Sequence, residues 1–182
     1  LYDLDPARPI VTIASSFPQA KFATQSQEFL KNDWKDLGVS NIPGREIPAT
    51  VASNEAVFLN IFQSWIIAAK SAFPDYQFVI KPHPAEEVVA WQRFCSRYGI
   101  TLMLSGYIWD LLSISTLHVG RADCLTVCEA WEMNRPTVFA NIGGGKSGAG
   151  QEALEVSATA NSIDEFLFYI EDAACLELSY PD

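Results

Sequence analysis

Short apolar runs alternate with helix-length segments along most of the chain, and this alternation limits the fold more than any other feature. The runs are residues 10–14, 77–80, 100–104, 117–120 and 137–140, with a sixth at 156–160. Strands that alternate with helices indicate βαβ units, because parallel strands need long crossover connections. The pattern therefore predicts an α/β fold, a Rossmann-like parallel sheet with helices on both faces.

The segments between these runs carry helix start and stop signals. Asn54 is predicted to be the N-cap of a long, well-buried helix that ends before Pro74. Gly99 is predicted to stop a helix, and Ser162 to cap the last one. The predicted helices cover residues 25–37, 55–73, 86–98, 109–114, 124–133 and 163–173, and residues 38–48 are predicted to form a loop.

The length of 182 residues suits one domain. We expect residues 1–182 to form a single Rossmann-like domain, in which residues 1–50 supply the first strand and an arm. The chain begins without Met, a basic segment or an apolar leader. It therefore resembles the cut end of a longer protein.

The formal net charge of −10 limits the partners of the chain. Long-range repulsion argues against nucleic acid and anionic membranes as general partners, which leaves at most peripheral membrane association. No apolar run approaches the roughly 18 residues that a membrane-spanning helix needs. Four cysteines without a C-x-x-C pair indicate reduced thiols, no zinc site, and a cytoplasmic location that includes the inner face of the membrane.

The first candidate site is the turn after the second predicted strand. Residues 78–84 (FVIKPHP) pass directly from apolar side chains to Lys81 and His83, and the prolines end the strand. Ligands of open α/β sheets bind at this carboxyl edge, where an ammonium beside an imidazole suits a phosphate. His83 is also a candidate proton donor. The alternative is a strand-end turn with a solvated Lys81 and a structural His83.

The second candidate site is residues 119–130 (VGRADCLTVCEA), where a predicted strand leads into a helix. Free amides around Cys124 at the helix start, together with the Thr126 hydroxyl, would hold an oxyanion. Glu129 lies one turn after Thr126, so it faces the same side and could accept from a diol such as ribose. The alternative is simple capping, with Asp123 as the N-cap.

The third candidate is a glycine run that contains Gly143, Gly144, Gly145 and Lys146. It formally fits a relaxed P-loop pattern. A P-loop should lead into an apolar-faced helix, and none is predicted here. A flexible loop over a ligand, or a plain connection, is therefore the preferred interpretation.

Ser15 and Ser16 follow the first predicted strand and form the fourth candidate. Their hydroxyls and amides would contact a phosphate, or they form an ordinary turn. His118 lies within an apolar strand and is predicted to be a hydrogen-bonded core residue. No carboxylate cluster such as D-x-D occurs in a suitable loop, so no metal is predicted.

Two of these segments together resemble a known family. Residues 80–86 (IKPHPAE), with Trp91 shortly after, resemble the R/K-P-H-P-x-E … W segment of bacterial surface-carbohydrate biosynthesis proteins. Residues 123–130 (DCLTVCEA), followed by residues 134–136 (NRP), resemble their G-C-T-T-x-x-E-A … G-K-P segment. These proteins are similar to the nucleotide-binding half of GT-B glycosyltransferases. Within that group, His-Pro motifs also mark bacterial sialyl-, polysialyl- and Kdo-type transferases that use CMP-sugars.

The resemblance implies a nucleotide-sugar-binding domain, the donor half of a glycosyltransferase in surface or capsular polysaccharide biosynthesis. The donor would be a CMP-sugar, or else a UDP- or CDP-linked sugar, and no cofactor is implied. The resemblance places His83, Thr126 and the amides around Cys124 on the donor phosphate, and Glu129 on the ribose. The glycan acceptor would bind a second domain, in the parent chain or on a partner chain, that also supplies the catalytic base.

The chain departs from this pattern at two positions. Asp123 stands where glycine is usual, and Leu125 where a second hydroxyl is usual. With these two residues, the site either binds a different donor or is a degenerate donor site. A nucleotide-sugar 2-epimerase-like enzyme shares the fold and a His-Pro turn. A non-catalytic binding or assembly module would keep the fold and lose the cleft.

Overall fold

The computed structural model describes residues 4–24, 49–121, 124–143 and 157–172, and every structural statement below concerns these ranges. The strands are β1 (Ile10–Ala14), β2 (Gln77–Lys81), β3 (Thr101–Leu102), β4 (Leu117–Arg121), β5 (Thr137–Ala140) and β6 (Ala158–Ala160). The α-helices are α1 (Ala49–Ala72), α2 (Val88–Tyr98), α3 (Ile108–Leu112), α4 (Thr126–Glu132) and α5 (Ile163–Glu171). A short 3-10 helix spans Ala20–Phe22.

The six strands form one parallel sheet in the order β3-β2-β1-β4-β5-β6. The chain moves outward from β1 to β3 and then returns to the other side of β1 at β4. This reversal creates a crevice beyond the carboxyl ends of β1 and β4, where ligands of doubly wound sheets bind. The prediction of a Rossmann-like α/β fold is confirmed.

Helices cover both faces of the sheet, which explains the continuous apolar character of the strands. On one face Ile13, Ile80 and Val119 pack with Phe62 of α1 and Phe166 of α5. The opposite face has a smaller cluster from β1, β2, α3 and α4, formed by Ile10, Val79, Met103, Ile108, Leu111, Leu112 and Ala130. Alternate residues of β1 and β2 therefore enter different clusters, as the side-chain period of a strand requires.

The start of α1 was predicted wrongly. The helix begins at Ala49, so Asn54 lies within it and is not its N-cap. Ala52, in the added turn, is fully buried and clusters with Phe22 of the 3-10 helix. The packing of Ala52 against the 3-10 helix outweighs the local capping preference of asparagine.

Other boundaries differ by smaller amounts, because element ends depend on tertiary contacts. β3 is limited to Thr101–Leu102 because it pairs with β2 alone. α2 and α4 each begin two residues later than predicted, α3 is shifted by one to two residues, and β2 and β4 extend one residue further. The predictions for residues 25–48 lie outside the described residues.

Two predicted helix signals are confirmed. Gly99 ends α2 with a left-handed backbone at φ 62°, a conformation that suits glycine. The Ser162 side chain accepts a hydrogen bond from the Glu165 amide and caps α5. Across the described part of the chain, no helix has the length and apolar character needed to cross a bilayer.

Candidate functional site

The carboxyl ends of β1, β2 and β4 bring three of the predicted segments to one edge of the sheet. Ala14 is paired in register with Lys81, and the Ser15 amide donates to the Lys81 carbonyl at 3.4 Å. β4 lies on the other side of β1 and ends at Arg121. The turn after β2, the loop after β1 and the start of α4 therefore surround the crevice.

The turn after β2 presents two donors to solvent. Lys81 is half-buried and its Nζ donates to the Gly106 carbonyl at 3.0 Å, which links β2 to the loop before α3. His83 is exposed, and its Nδ1 accepts from the Ala85 amide at 3.1 Å. Because Nδ1 is the acceptor, the ring proton of neutral His83 lies on Nε2, which is directed away from this turn.

Glu86 has a role that its position in the sequence did not indicate. The predicted helix over residues 86–98 begins at Glu86, but α2 begins at Val88. Its carboxylate is buried and accepts from Ser15 Oγ at 2.5 Å, from Trp91 Nε1 at 2.7 Å and from the Phe17 amide. Three donors stabilise the buried charge. Glu86 thus ties the loop after β1 to the turn after β2.

This arrangement decides what the two predicted serines present to the crevice. The Ser15 hydroxyl donates to the Glu86 carboxylate. The Ser16 carbonyl accepts from Arg121 Nη1 at 2.6 Å. Both groups therefore hold the loop in place, and a carboxylate beside Ser15 is an unfavourable neighbour for a phosphate.

A buried hydrogen-bonded series joins β1, β4 and the start of α4. His118 is fully buried, with Nδ1 2.9 Å from Thr12 Oγ1 and Nε2 2.9 Å from Thr126 Oγ1. Thr126 Oγ1 also lies 2.9 Å from Cys124 Sγ. The prediction of a hydrogen-bonded core histidine is confirmed, and the Thr126 hydroxyl points inward to it.

Burial controls the titration of this series. It lowers the pKa of His118 to about 3, because a charged imidazole would lose its hydration. Burial also raises the pKa of the Cys124 thiol. The Cys124 amide donates to the Arg121 carbonyl at 2.9 Å. Cys124 and Thr126 therefore stabilise the backbone beside the crevice. The Cys124 thiol is protonated near pH 7, because its pKa is raised.

Glu129 lies one turn into α4 and contacts the first turn of α3. Trp109 Nε1 donates to Glu129 Oε1 at 3.1 Å. Tyr107 is 78% exposed and Trp109 is 42% exposed, beside the Gly106 carbonyl that Lys81 contacts. The sequence analysis missed both aromatic residues. Their signal in the sequence is that two aromatic side chains follow the end of a predicted strand within five residues.

Arg121, the last residue of β4, was also missed. Its guanidinium donates to the Ser16 carbonyl and forms an ion pair with Glu55 of α1, at 3.5 Å between Nη1 and Oε1. The sequence shows the arginine at a strand end. It does not show that the ion-pair partner is 66 residues away.

The glycine run begins beside the crevice. Gly143 has φ 93°, and a Cβ at this position would lie 2.6 Å from the Phe58 ring of α1. Both facts require glycine here. The predictions for Gly144, Gly145, Lys146 and Asp123 lie outside the described residues. The observed N-cap position of α4 is Leu125, which makes no side-chain capping bond.

A small cleft lies near this edge of the sheet. It has a volume of about 140 Å³ and lies between the 3-10 helix, α1 and α2, with Glu86 and Trp91 in its lining. Pockets that enclose drug-sized ligands are typically about 300–1,000 Å³. This cleft is therefore too small to enclose a nucleotide. Within the described ranges, no group of three His, Cys, Asp or Glu residues is placed to hold a metal ion.

Comparison with known proteins gives a structural likeness and no family. No protein-family model matches the chain, and no curated protein matches it. Among solved structures, a chain in the crystal structure of the GtfA/B complex is similar, with a TM-score of 0.46 and 13% sequence identity. The match covers 90% of this chain and 29% of that chain. This chain therefore spans less than a third of the length of the solved chain.

Proposed function

We propose that this chain is the donor-binding half of a GT-B-type glycosyltransferase of surface or capsular polysaccharide biosynthesis. One observation carries the proposal: Lys81 and Glu129 are connected through the segment 106–109. Lys81 contacts the Gly106 carbonyl, and Trp109 of the same segment contacts Glu129. A cation, two exposed aromatic side chains and a carboxylate are thus linked at one edge of the sheet.

These three kinds of group suit the three parts of a nucleotide. Lys81 and the Nε2–H of His83 suit the donor phosphate, because both are donors and neither contacts a carboxylate among the described residues. The exposed faces of Tyr107 and Trp109 suit a base, which stacks on aromatic rings at about 1–3 kcal/mol per base. Glu129 suits the ribose hydroxyls.

The chemistry of this half is electrostatic. Sugar transfer leaves negative charge on the departing nucleotide phosphate, and preorganised donors at that position lower the barrier. Lys81 and His83 supply such donors, and His83 is in addition the candidate proton donor. Thr126 and Cys124 support the backbone around the phosphate. A CMP-sugar is the favoured donor, with UDP- and CDP-linked sugars as alternatives, and the acceptor and its catalytic base belong to a second domain or a partner chain.

Calorimetric titration of CMP, CDP, UDP and GDP into the chain tests the proposal. We expect a cytidine or uridine nucleotide to bind. His83→Ala and Trp109→Ala should each weaken binding by roughly tenfold, the equivalent of about 1.4 kcal/mol. Arg93→Ala is the matched control, since it removes an exposed charge from α2, away from the edge.

Two results would contradict the proposal. If no nucleotide binds, the interpretation of this edge as a donor site fails, and a binding or assembly module becomes the better description. If the chain converts UDP-N-acetylglucosamine to its epimer without an acceptor, the activity is an epimerase and not a transferase.

A further inference from the structure

Arg121 is a buried cation at the place where the strand order reverses. Only 8% of the residue is exposed. Its guanidinium carbon lies 4.4 Å from the centroid of the Phe17 ring and 5.8 Å from that of the Phe58 ring. Aromatic faces stabilise a guanidinium and restrict its plane. The cation is therefore held in position beside the crevice.

The hydrogen bonds of this group are incomplete. Nη1 donates to the Ser16 carbonyl at 2.6 Å, but its distance to Glu55 is 3.5 Å, at the long limit of a hydrogen bond. The Nε–H is buried and has no acceptor among the residues that the structure describes. Buried donors are nearly always paired, so the unpaired Nε–H leaves the Arg121 guanidinium with unused hydrogen-bonding capacity.

Glu55 is held from its other side. Its Oε2 accepts from the Gln19 amide at 2.8 Å, and the Gln19 side-chain oxygen is itself buried without a donor in the described ranges. The side chain of Glu55 is 15% exposed, so part of it borders solvent. The carboxylate is thus a weakly held partner of Arg121, next to one open donor and one open acceptor.

We infer that Arg121 is the anion-binding group of a second subsite, and that Glu55 occupies it while no ligand is bound. An incoming carboxylate or phosphate pairs with the guanidinium in the two-bond geometry that arginine favours, in place of the 3.5 Å contact. A hydroxyl on the same ligand satisfies Gln19. Under the proposed function, on which the identity of the ligand rests, this anion is either a donor phosphate or a carboxylate of the transferred sugar.

Titration of two probes into the full chain at low ionic strength tests this subsite. The probes are inorganic pyrophosphate and free N-acetylneuraminic acid, which carry phosphate and carboxylate respectively. Arg121→Gln should weaken binding of the preferred probe by roughly tenfold or more, since hydrogen bonds to charged groups are strong. Glu55→Gln should strengthen it about threefold or more, because the competing charge is removed. Arg93→Gln should change nothing.

The opposite signs of the two effects keep the inference falsifiable. If Arg121→Gln fails to fold, the expected gain in anion affinity of Glu55→Gln decides alone. Unchanged affinity in Glu55→Gln overturns the inference. Anion binding that responds to His83→Ala but to neither change at Arg121 and Glu55 overturns the inference and leaves the proposed function standing. Anion binding that depends on Arg121, in a chain that binds no nucleotide, supports the subsite and contradicts the proposed function.

Discussion

Burial of His118 couples its protonation to the stability of the fold. Burial lowers its pKa to about 3 in the folded chain, against 6.5 for an ordinary histidine. Between these values the unfolded chain binds a proton that the folded chain does not. The contribution of His118 to the free energy of unfolding is therefore complete above pH 6.5 and is lost as the pH falls toward 3.

This linkage predicts a measurable loss of stability in mild acid. From pH 7 to pH 5, His118 should reduce the free energy of unfolding by about 2 kcal/mol. A His118→Gln variant, less stable at pH 7, should lack this share of the pH dependence. Urea titrations at both pH values measure the difference. His83→Gln serves as the control, because His83 is exposed, and equal pH dependence in wild type and His118→Gln would contradict the prediction.

Gly120 is constrained by packing and not by its backbone angles. A Cβ at this position would lie 2.3 Å from Cγ2 of Val127, where α4 crosses β4. Gly120→Ala should therefore destabilise the fold by about 1–3 kcal/mol through overpacking. Val127→Ala in the same chain should recover part of this loss, although it is destabilising alone. Additive losses in the double variant, measured by denaturant titration, would exclude the clash.

At the scale of elements, Glu86 decides where the loop after β1 lies. Its carboxylate accepts from the Ser15 hydroxyl, the Phe17 amide and the Trp91 indole. Glu86→Ala leaves three donors without their acceptor, and we expect a loss of about 3 kcal/mol in the free energy of unfolding. Glu87→Ala, the exposed neighbour, should cost little. Similar losses in the two variants would show that Glu86 is not a structural acceptor.

The same carboxylate illustrates why a motif can be located without its function being understood. The sequence predicted a turn with Lys81 and His83 at a strand end, and the structure has that turn. It also predicted that Glu86 would be the first residue of a helix. Burial reversed that interpretation, because a carboxylate in the interior is stable only where several donors converge. Two of the three donors, Ser15 and Phe17, come from residues about 70 positions earlier.

For the whole molecule, the proposed function predicts binding without transfer. Under that proposal, Lys81, His83 and Glu129 belong to the donor site, and the acceptor and its catalytic base belong to a second domain or a partner chain. We expect the chain alone to bind a nucleotide and to release no CMP from a CMP-sugar in the presence of a glycan acceptor. Coupled detection of free CMP, alongside calorimetry, measures both. Transfer by the chain alone would show that it holds a complete active site.

The sequence by itself determined the alternation of strands and helices, and hence a parallel sheet covered on both faces. It also placed Lys81 and His83 at a strand end, because prolines cannot continue a ladder, and placed His118 in the core. These features follow from local side-chain periodicity and backbone restriction. Only the tertiary structure decided the strand order, the pairing of Arg121 with Glu55 and the convergence of donors on Glu86. Those depend on which distant groups can satisfy one another once water is excluded, and local sequence does not encode that choice.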